Sequence, residues 1–267
     1  MDIIVCMKEV PDPECARGGF TINAGELRVE LRGVPPVLSP FDENALEAAL
    51  RIKDEHAPDD VKITVVSLGK RISKAVLETA LAAGADQLVK IEGEAFASNA
   101  LDSFACASIL ACAIRKMGGY DLILAGRQAA DWNAGQVGVG VAHLLGVPVV
   151  TLARKVEVRG GCAIVERLTA AGYETVRAPL PAAVVVSNEV GVMRHPTIVQ
   201  RREAKKKPVV SWGAGDIDLG RPLENRLHLR KLFAPATRQR DCVFVGGESA
   251  AEAGRKLAER LSSDGII

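Results

Sequence analysis

Over its first 150 residues the chain alternates short apolar runs with longer stretches of helical period, a pattern that restricts the fold more than any other feature. Strands are predicted at residues 3–7, 63–68, 87–91 and 122–125. The first two are rich in β-branched residues, as parallel strands covered on both faces tend to be. Helices are predicted at 43–56, 73–83, 100–117 and 136–145. In the first, Ala45, Leu46, Ala49 and Ile52 recur at helical spacing and form one apolar stripe. Its entrance reads Ser39-Pro40-Phe41-Asp42: Ser39 as cap, Pro40 at the first helical position, Asp42 near the positive end of the helix dipole. The implied fold is α/β, a mostly parallel, doubly wound sheet whose ligands sit at the carboxyl ends of the strands.

The stretch 125–145 places chemistry on that frame. A mostly apolar run, 120–124, empties into a turn containing Gly126, Gly135, Gly138 and Gly140, and then into a helical pattern. Such a turn leaves unpaired backbone N–H groups converging on one spot, which suits a nucleotide phosphate. The spacing is neither the dinucleotide fingerprint nor a P-loop, which would need Gly-Lys-Ser/Thr. Trp132 could stack on an adenine or flavin ring, or shield the loop from water.

Beyond Val150 the period changes. Residues 151–158, the turn Arg159-Gly160-Gly161 and residues 162–168 read as an antiparallel hairpin, with 173–178 a third strand. Glu166 and Glu174 read as its solvent-facing alternation. Pro179 and Pro181 bracket Leu180 before a buried strand at 183–187. Arg201, Arg202, Lys205, Lys206 and Lys207 form a basic run, read as a solvated face. Residues 201–241 have little that could make a core, and are read as an extended C-terminal arm lying on a partner subunit. A strand at 242–245 and an amphipathic helix at 249–261 close the chain. The expected division is an α/β domain over 1–200, including the hairpin insertion 151–178, and the arm with its helix over 201–267.

Composition narrows the function. A net charge of +1 gives no reason to expect nucleic acid or an anionic membrane as the main partner, and 4% aromatics argue against a base-stacking surface. The six cysteines include no CxxC pair, which argues against a disulfide framework or a zinc site and for a reducing, cytoplasmic compartment. His56, His143, His195 and His228 stand at no metal-ligand spacing from one another, so no metal is expected. No apolar run approaches the roughly 18 residues of a membrane span. The chain opens directly into a strand, so no leader is expected. No Ser/His/Asp set stands out, and no catalytic residue is assigned.

Five segments in register resemble the β subunit of the electron-transfer flavoprotein family: IVCMKEVPD at 4–12, SPFDENALEAA at 39–49, TALAAGAD at 79–86, GRQAAD through QVG at 126–138, and RHPTI leading to AKKK at 194–207. The resemblance implies an adenine-nucleotide-binding fold and a heterodimer, with an α subunit carrying the electron-transferring FAD. It implies AMP or FAD in this subunit's own pocket, and transient docking to dehydrogenases. By position, the pocket residues are Cys6, Ser39, Pro40, Phe41, Asp42 and Leu68, with Ala130, Asp131, Trp132, Asn133, Ala134, Gly135, Gln136, Val137, Gly138, Val139, Gly140 and Val141. Arg127 is the one cation placed to tune a flavin. Cys6, Val66 and Leu68 would offer an apolar bed, the amides near Gln136 would hold phosphate, and Asp131 would bond a ribose hydroxyl or fix the loop. Asp42, Asp102-Ser103 and Gln136-Val137-Gly138 look like electron-bifurcating relatives, whereas the longer 98–101 spacing does not. The balance tips slightly to FAD. Residues 188–200 match the family's recognition loop, with Ile198 as docking residue next to Pro196 and flanked by Arg194, Arg201 and Arg202, and with Arg194 and His195 as further docking contacts. The competing reading is an adenine-nucleotide hydrolase or adenylating enzyme of related fold, for which residues 7–12 lack the pyrophosphate loop.

Overall fold

The structure is a computed structural model that describes residues 1–15, 20–57, 60–97, 101–220, 223–234 and 242–267. In chain order its elements are β1 (Asp2–Cys6), β2 (Glu9–Pro11), β3 (Phe20–Asn23), β4 (Arg28–Leu31), β5 (Pro36–Leu38), α1 (Pro40–Asp54), β6 (Lys62–Gly69), α2 (Lys74–Ala83), β7 (Gln87–Glu92) and α3 (Ser103–Met117). There follow β8 (Leu122–Gly126), α4 (Val137–Leu145), β9 (Val149–Arg159), β10 (Cys162–Thr169), β11 (Gly172–Pro179), β12 (Ala182–Val186), α5 (Ile198–Ala204), β13 (Val209–Trp212) and α6 (Ala250–Ser263).

Nine strands form one sheet in the order β11-β10-β9-β12-β8-β1-β6-β7-β13. From β9 to β13 every neighbouring pair is parallel, and β9, β10 and β11 form the antiparallel insertion. The pleat sorts the core into two layers. Ile3 and Val5 pack with α1 and α2, while Ile4 and Cys6 pack with α3 and α4. Because both faces are covered, Leu122–Leu124 and Ala182–Val186 are apolar throughout rather than alternating. Glu166 and Glu174 are held by Arg154 and Arg167 across the hairpin.

Several expectations need correction. The arm does not begin at residue 201: Val209–Trp212 pairs in parallel with Leu88–Ile91 as an edge strand, and the first compact unit runs to Leu232. Four residues are too few to show a period, so the sequence pattern could not announce this strand. Lys207 is not solvated; its Nζ donates to the carbonyls of Leu81 (2.8 Å) and Ala85 (2.6 Å), capping the end of α2. No strand forms at 242–245, because among the described residues of the second unit, Phe233–Ile267, no other strand is present to pair with it. Within that unit α6 is amphipathic, with Ser249 capping it through Glu252 N–H (3.2 Å). Two small sheets, β2–β5 and β3–β4, lie in a stretch for which no element was expected. Residues 98–100 and 235–241, parts of the expected third helix, the 98–101 spacing and the arm, lie outside the described residues.

Candidate nucleotide site at the sheet's switch point

After β1 the chain winds outward through β6 and β7, then returns to the other side of β1 for β8. The carboxyl ends of β1 and β8 therefore form the topological switch point, where ligands of such sheets bind. Asp42, on the first turn of α1, ties the two ends together. Its Oδ2 accepts the N–H of Lys8 (2.8 Å) and its Oδ1 that of Gly126 (3.2 Å). Burial pushes the Asp42 carboxyl up to about 7; the two N–H donors and Lys8 oppose that rise, and Asp131 adds to it. A Cβ on Gly126 would stand 2.5 Å from the Phe41 carbonyl group and 2.6 Å from Asp42 Oδ1, so the strand end can approach α1 only as glycine.

Ser39 precedes the helix as expected, but its hydroxyl does not cap it. The Ser39 Oγ is fully buried and, among the described residues, has no hydrogen-bond partner; Ser67 Oγ on β6 shares that state. Cys6 lies in the core beside α3 and α4 with Val66, and Leu68 packs at the margin of that cluster. Burial first, then the Asp42 charge, pushes the Cys6 thiol up to about 12, so it is a neutral packing group.

The 126–136 turn is fixed at its start and within itself. Arg127 N–H donates to Val186 O (2.9 Å), and Asn133 N–H to Ala129 O (2.9 Å). Asn133 and Gly135 adopt φ of 50° and 66°, which folds the turn back on itself. Asp131 accepts the Lys8 ammonium (2.6 Å) and the Trp132 N–H (2.9 Å), so it fixes the loop, while Trp132 is about half exposed (47%). The Arg127 guanidinium lies 5.2 Å from the Phe41 ring centre. Ala130, Ala134 and Gln136 line the rest of the turn. In α4 the first intrahelical bond is Gly140 N–H to Gln136 O (2.9 Å), so the amides of Val137, Gly138 and Val139 precede the ladder. The glycines of α4 serve packing: a Cβ on Gly138 would meet Ala125 and Val185 at 3.0 Å, and one on Gly140 would meet Ala107 at 2.9 Å. Val141 is buried beneath them.

Asp102 does more than its sequence setting suggests. It caps α3 through Ala105 N–H (2.8 Å) and also accepts the N–H groups of Arg226 (2.6 Å) and Leu227 (2.7 Å). Burial raises its pKa, but these donors outweigh burial and hold the carboxyl below its ordinary value. In the segment 188–200, Arg194 turns inward onto Glu47 and Asp54, whereas Ile198 is 72% exposed and His195 is exposed. His143 is exposed on α4. A separate cavity of about 260 Å³, lined by Arg51, Arg154, Glu166 and Glu189 among others, includes none of the turn's residues. Among the described residues no cluster of His, Cys, Asp or Glu could hold a metal, and no helix is long and apolar enough to cross a membrane.

The sequence pattern of the electron transfer flavoprotein domain matches residues 27–217, which includes α1, β8, the 126–136 turn and residues 188–200. The chain belongs to the electron transfer flavoprotein family. It is 36% identical over 275 residues to the electron transfer flavoprotein subunit beta of Thermoanaerobacterium thermosaccharolyticum, covering all of both chains. It is 35% identical to that of Megasphaera elsdenii, again over the whole of both. Caffeyl-CoA reductase-Etf complex subunit CarD of Acetobacterium woodii is 36% identical, covering 82% of this chain and 80% of the relative. These β-subunit likenesses run end to end, so the chain serves as the β subunit of an electron transfer flavoprotein. The hydrolase and adenylating readings fall away.

Proposed function

We propose that the switch-point turn holds an adenine-bearing nucleotide, FAD in preference to AMP, and that the chain pairs with a flavin-carrying α subunit to relay electrons from a dehydrogenase or NADH to a quinone reductase or other acceptor. The observation that carries this reading is the Asp42 tie, which joins α1 to Lys8 just beyond β1 and to Gly126 at the end of β8, beside which the first turn of α4 packs through Gly138. The residues there suit the group: a buried, unpartnered Ser39 hydroxyl, a glycine at 126 that admits no side chain, and three amides ahead of a helix ladder.

Bound FAD would supply the one- and two-electron chemistry. The chain's own part is to bind, orient and exclude water. The amides of Val137, Gly138 and Val139 would take phosphate oxygens. Trp132, about half exposed, would cover a ring, and Arg127 would place positive charge near it. Lys8 holds Asp131 and so ties the turn to the chain just beyond β1. Preference for FAD rests on Asp42, Asp102-Ser103 and Gln136-Val137-Gly138. Ile198 would be the docking residue, since a small exposed anchor permits the fast release that electron exchange requires. The arm and α6 would lie on the α subunit, and six free cysteines agree with a cytoplasmic setting.

Denaturing the purified α/β pair and counting what it releases tests the pocket. About two flavins per pair means FAD in this subunit, and about one flavin with one AMP means a structural nucleotide. A pair that releases neither AMP nor a second flavin overturns the pocket altogether.

A further inference from the structure

On α1, Asn44, Glu47, Arg51 and Asp54 succeed one another at helical spacing and make one polar stripe. Every one of them is bonded to the segment 190–194, or to a residue that is. Asn44 Nδ2 donates to Gly191 O (2.6 Å) and Arg51 Nη1 to Val190 O (2.6 Å). Glu47, 5% exposed, is the hub. Its Oε2 accepts the Arg194 backbone N–H (3.1 Å) and Nε (3.1 Å), and its Oε1 accepts Arg194 Nη2 (3.2 Å) and Arg51 Nε (3.1 Å). Arg194 Nη2 reaches Asp54 as well (2.7 Å). Beside this clamp, Val192, Ile198 and Val199 stand 79%, 72% and 67% exposed. Thr197 then starts α5 with a capping box shared with Gln200, which fixes the orientation of Ile198.

We infer that Glu47 is a positioning residue: the polar stripe of α1 locks residues 190–194 before any partner arrives, so that the exposed aliphatic side chains beyond them are presented in a binding-ready arrangement. The purpose that this gives the clamp rests on the docking reading of Ile198. Three observations favour the assignment. A carboxylate taken out of water is stable only with a full set of donors, and Glu47 has four. Burial raises its pKa, yet the Arg194 and Arg51 bonds outweigh burial and hold it below its ordinary value, so it stays ionised. Gly191 adopts φ of 109°, and a Cβ there would meet Arg51 Nη2 at 3.0 Å, so the loop follows the stripe closely. A loop ordered in advance loses less entropy on docking.

Hydrogen–deuterium exchange on the whole α/β pair tests the clamp without a partner present. Glu47→Ala is expected to speed exchange across 190–199 by about tenfold or more, with α1 and the released nucleotide unchanged. Arg194→Ala, on the loop side, leaves the α1 core face intact and should act in the same direction. Arg194→Lys, which keeps the cation and the backbone bond, should restore most of the protection. Unchanged exchange at 190–199 in both alanine variants overturns the clamp. So does loosening that spreads through α1 with nucleotide loss, since the role would then be general stability. Ile198→Ala reads the docking interpretation separately: it should leave exchange at 190–194 unchanged while weakening reduction by the donor dehydrogenase. If it leaves reduction unchanged as well, the docking reading fails and the clamp survives.

Discussion

Asp42 shows how one side chain can be placed correctly from sequence and still do more than the sequence announces. The pattern placed it in the first turn of a helix, where a carboxylate favours the positive dipole end. The structure bears out that placement and, in addition, sets its two oxygens on the amides of Lys8 and Gly126 and removes the group from water. Its folded pKa of about 7 lies above the unfolded 3.8, so the folded state prefers the proton. The resulting stabilisation is full below pH 3.8 and is lost as pH rises to about 7. Urea unfolding of the wild type and Asp42→Asn should show this as a stability difference that changes between pH 5 and 7, at up to about 1.4 kcal/mol per pH unit in favour of the wild type at the acid end. A difference that is flat across that range would mean that the carboxyl titrates normally. Ser39 makes the complementary point. Its place ahead of the helix was readable, but not that its hydroxyl would be buried without a partner, nor that its backbone N–H would donate to Lys8 O (2.9 Å), 31 residues earlier in the chain.

At the scale of elements, α4 follows the turn and packs closely on β12 and α3. Its glycines look like a phosphate loop in sequence, yet Gly138 and Gly140 are where the helix meets Val185 and Ala107. Gly140→Ala sets two effects against each other. Helix propensity favours alanine by about 1 kcal/mol. A methyl group placed 2.9 Å from Ala107 Cβ must push α3 and α4 apart, and such overpacking costs about 1–3 kcal/mol. The net expectation is a loss of about 1 kcal/mol in urea unfolding, with weaker nucleotide retention because the open amides of α4 move with it. A stabilised variant would show that the two helices have slack. The hairpin strands β9–β11 were readable because eight or more residues alternate between turns rich in glycine; β13 was not, because its four residues acquire meaning only from β7 beside them.

At the scale of the molecule, the boundary at Leu232 makes a prediction about truncation. A chain ending at Leu232 should unfold cooperatively on its own but fail to hold the α subunit, as judged by size-exclusion chromatography. One ending at Gln200 loses β13, the Lys207 cap on α2, and the partners of Asp102 at 225–227, and should be less stable by about 3 kcal/mol or more. Equal stability of the two would return the boundary to residue 200.

What the amino-acid order determined by itself was local and periodic: which runs are strands or helices, that the sheet is parallel and covered on both faces, and that a glycine-bearing turn follows a buried strand. Those follow from side-chain period and backbone freedom within a few residues. Tertiary structure alone decided that β8 returns beside β1, and so that Asp42, Lys8 and Gly126, which are 34 and 84 residues apart from Asp42 along the chain, meet at one point. It also decided that Arg194 meets Glu47, 147 residues earlier in the chain. Hydrogen bonds between distant residues depend on where the chain returns, and the order of strands in a sheet is set by how the whole core packs, not by any one segment.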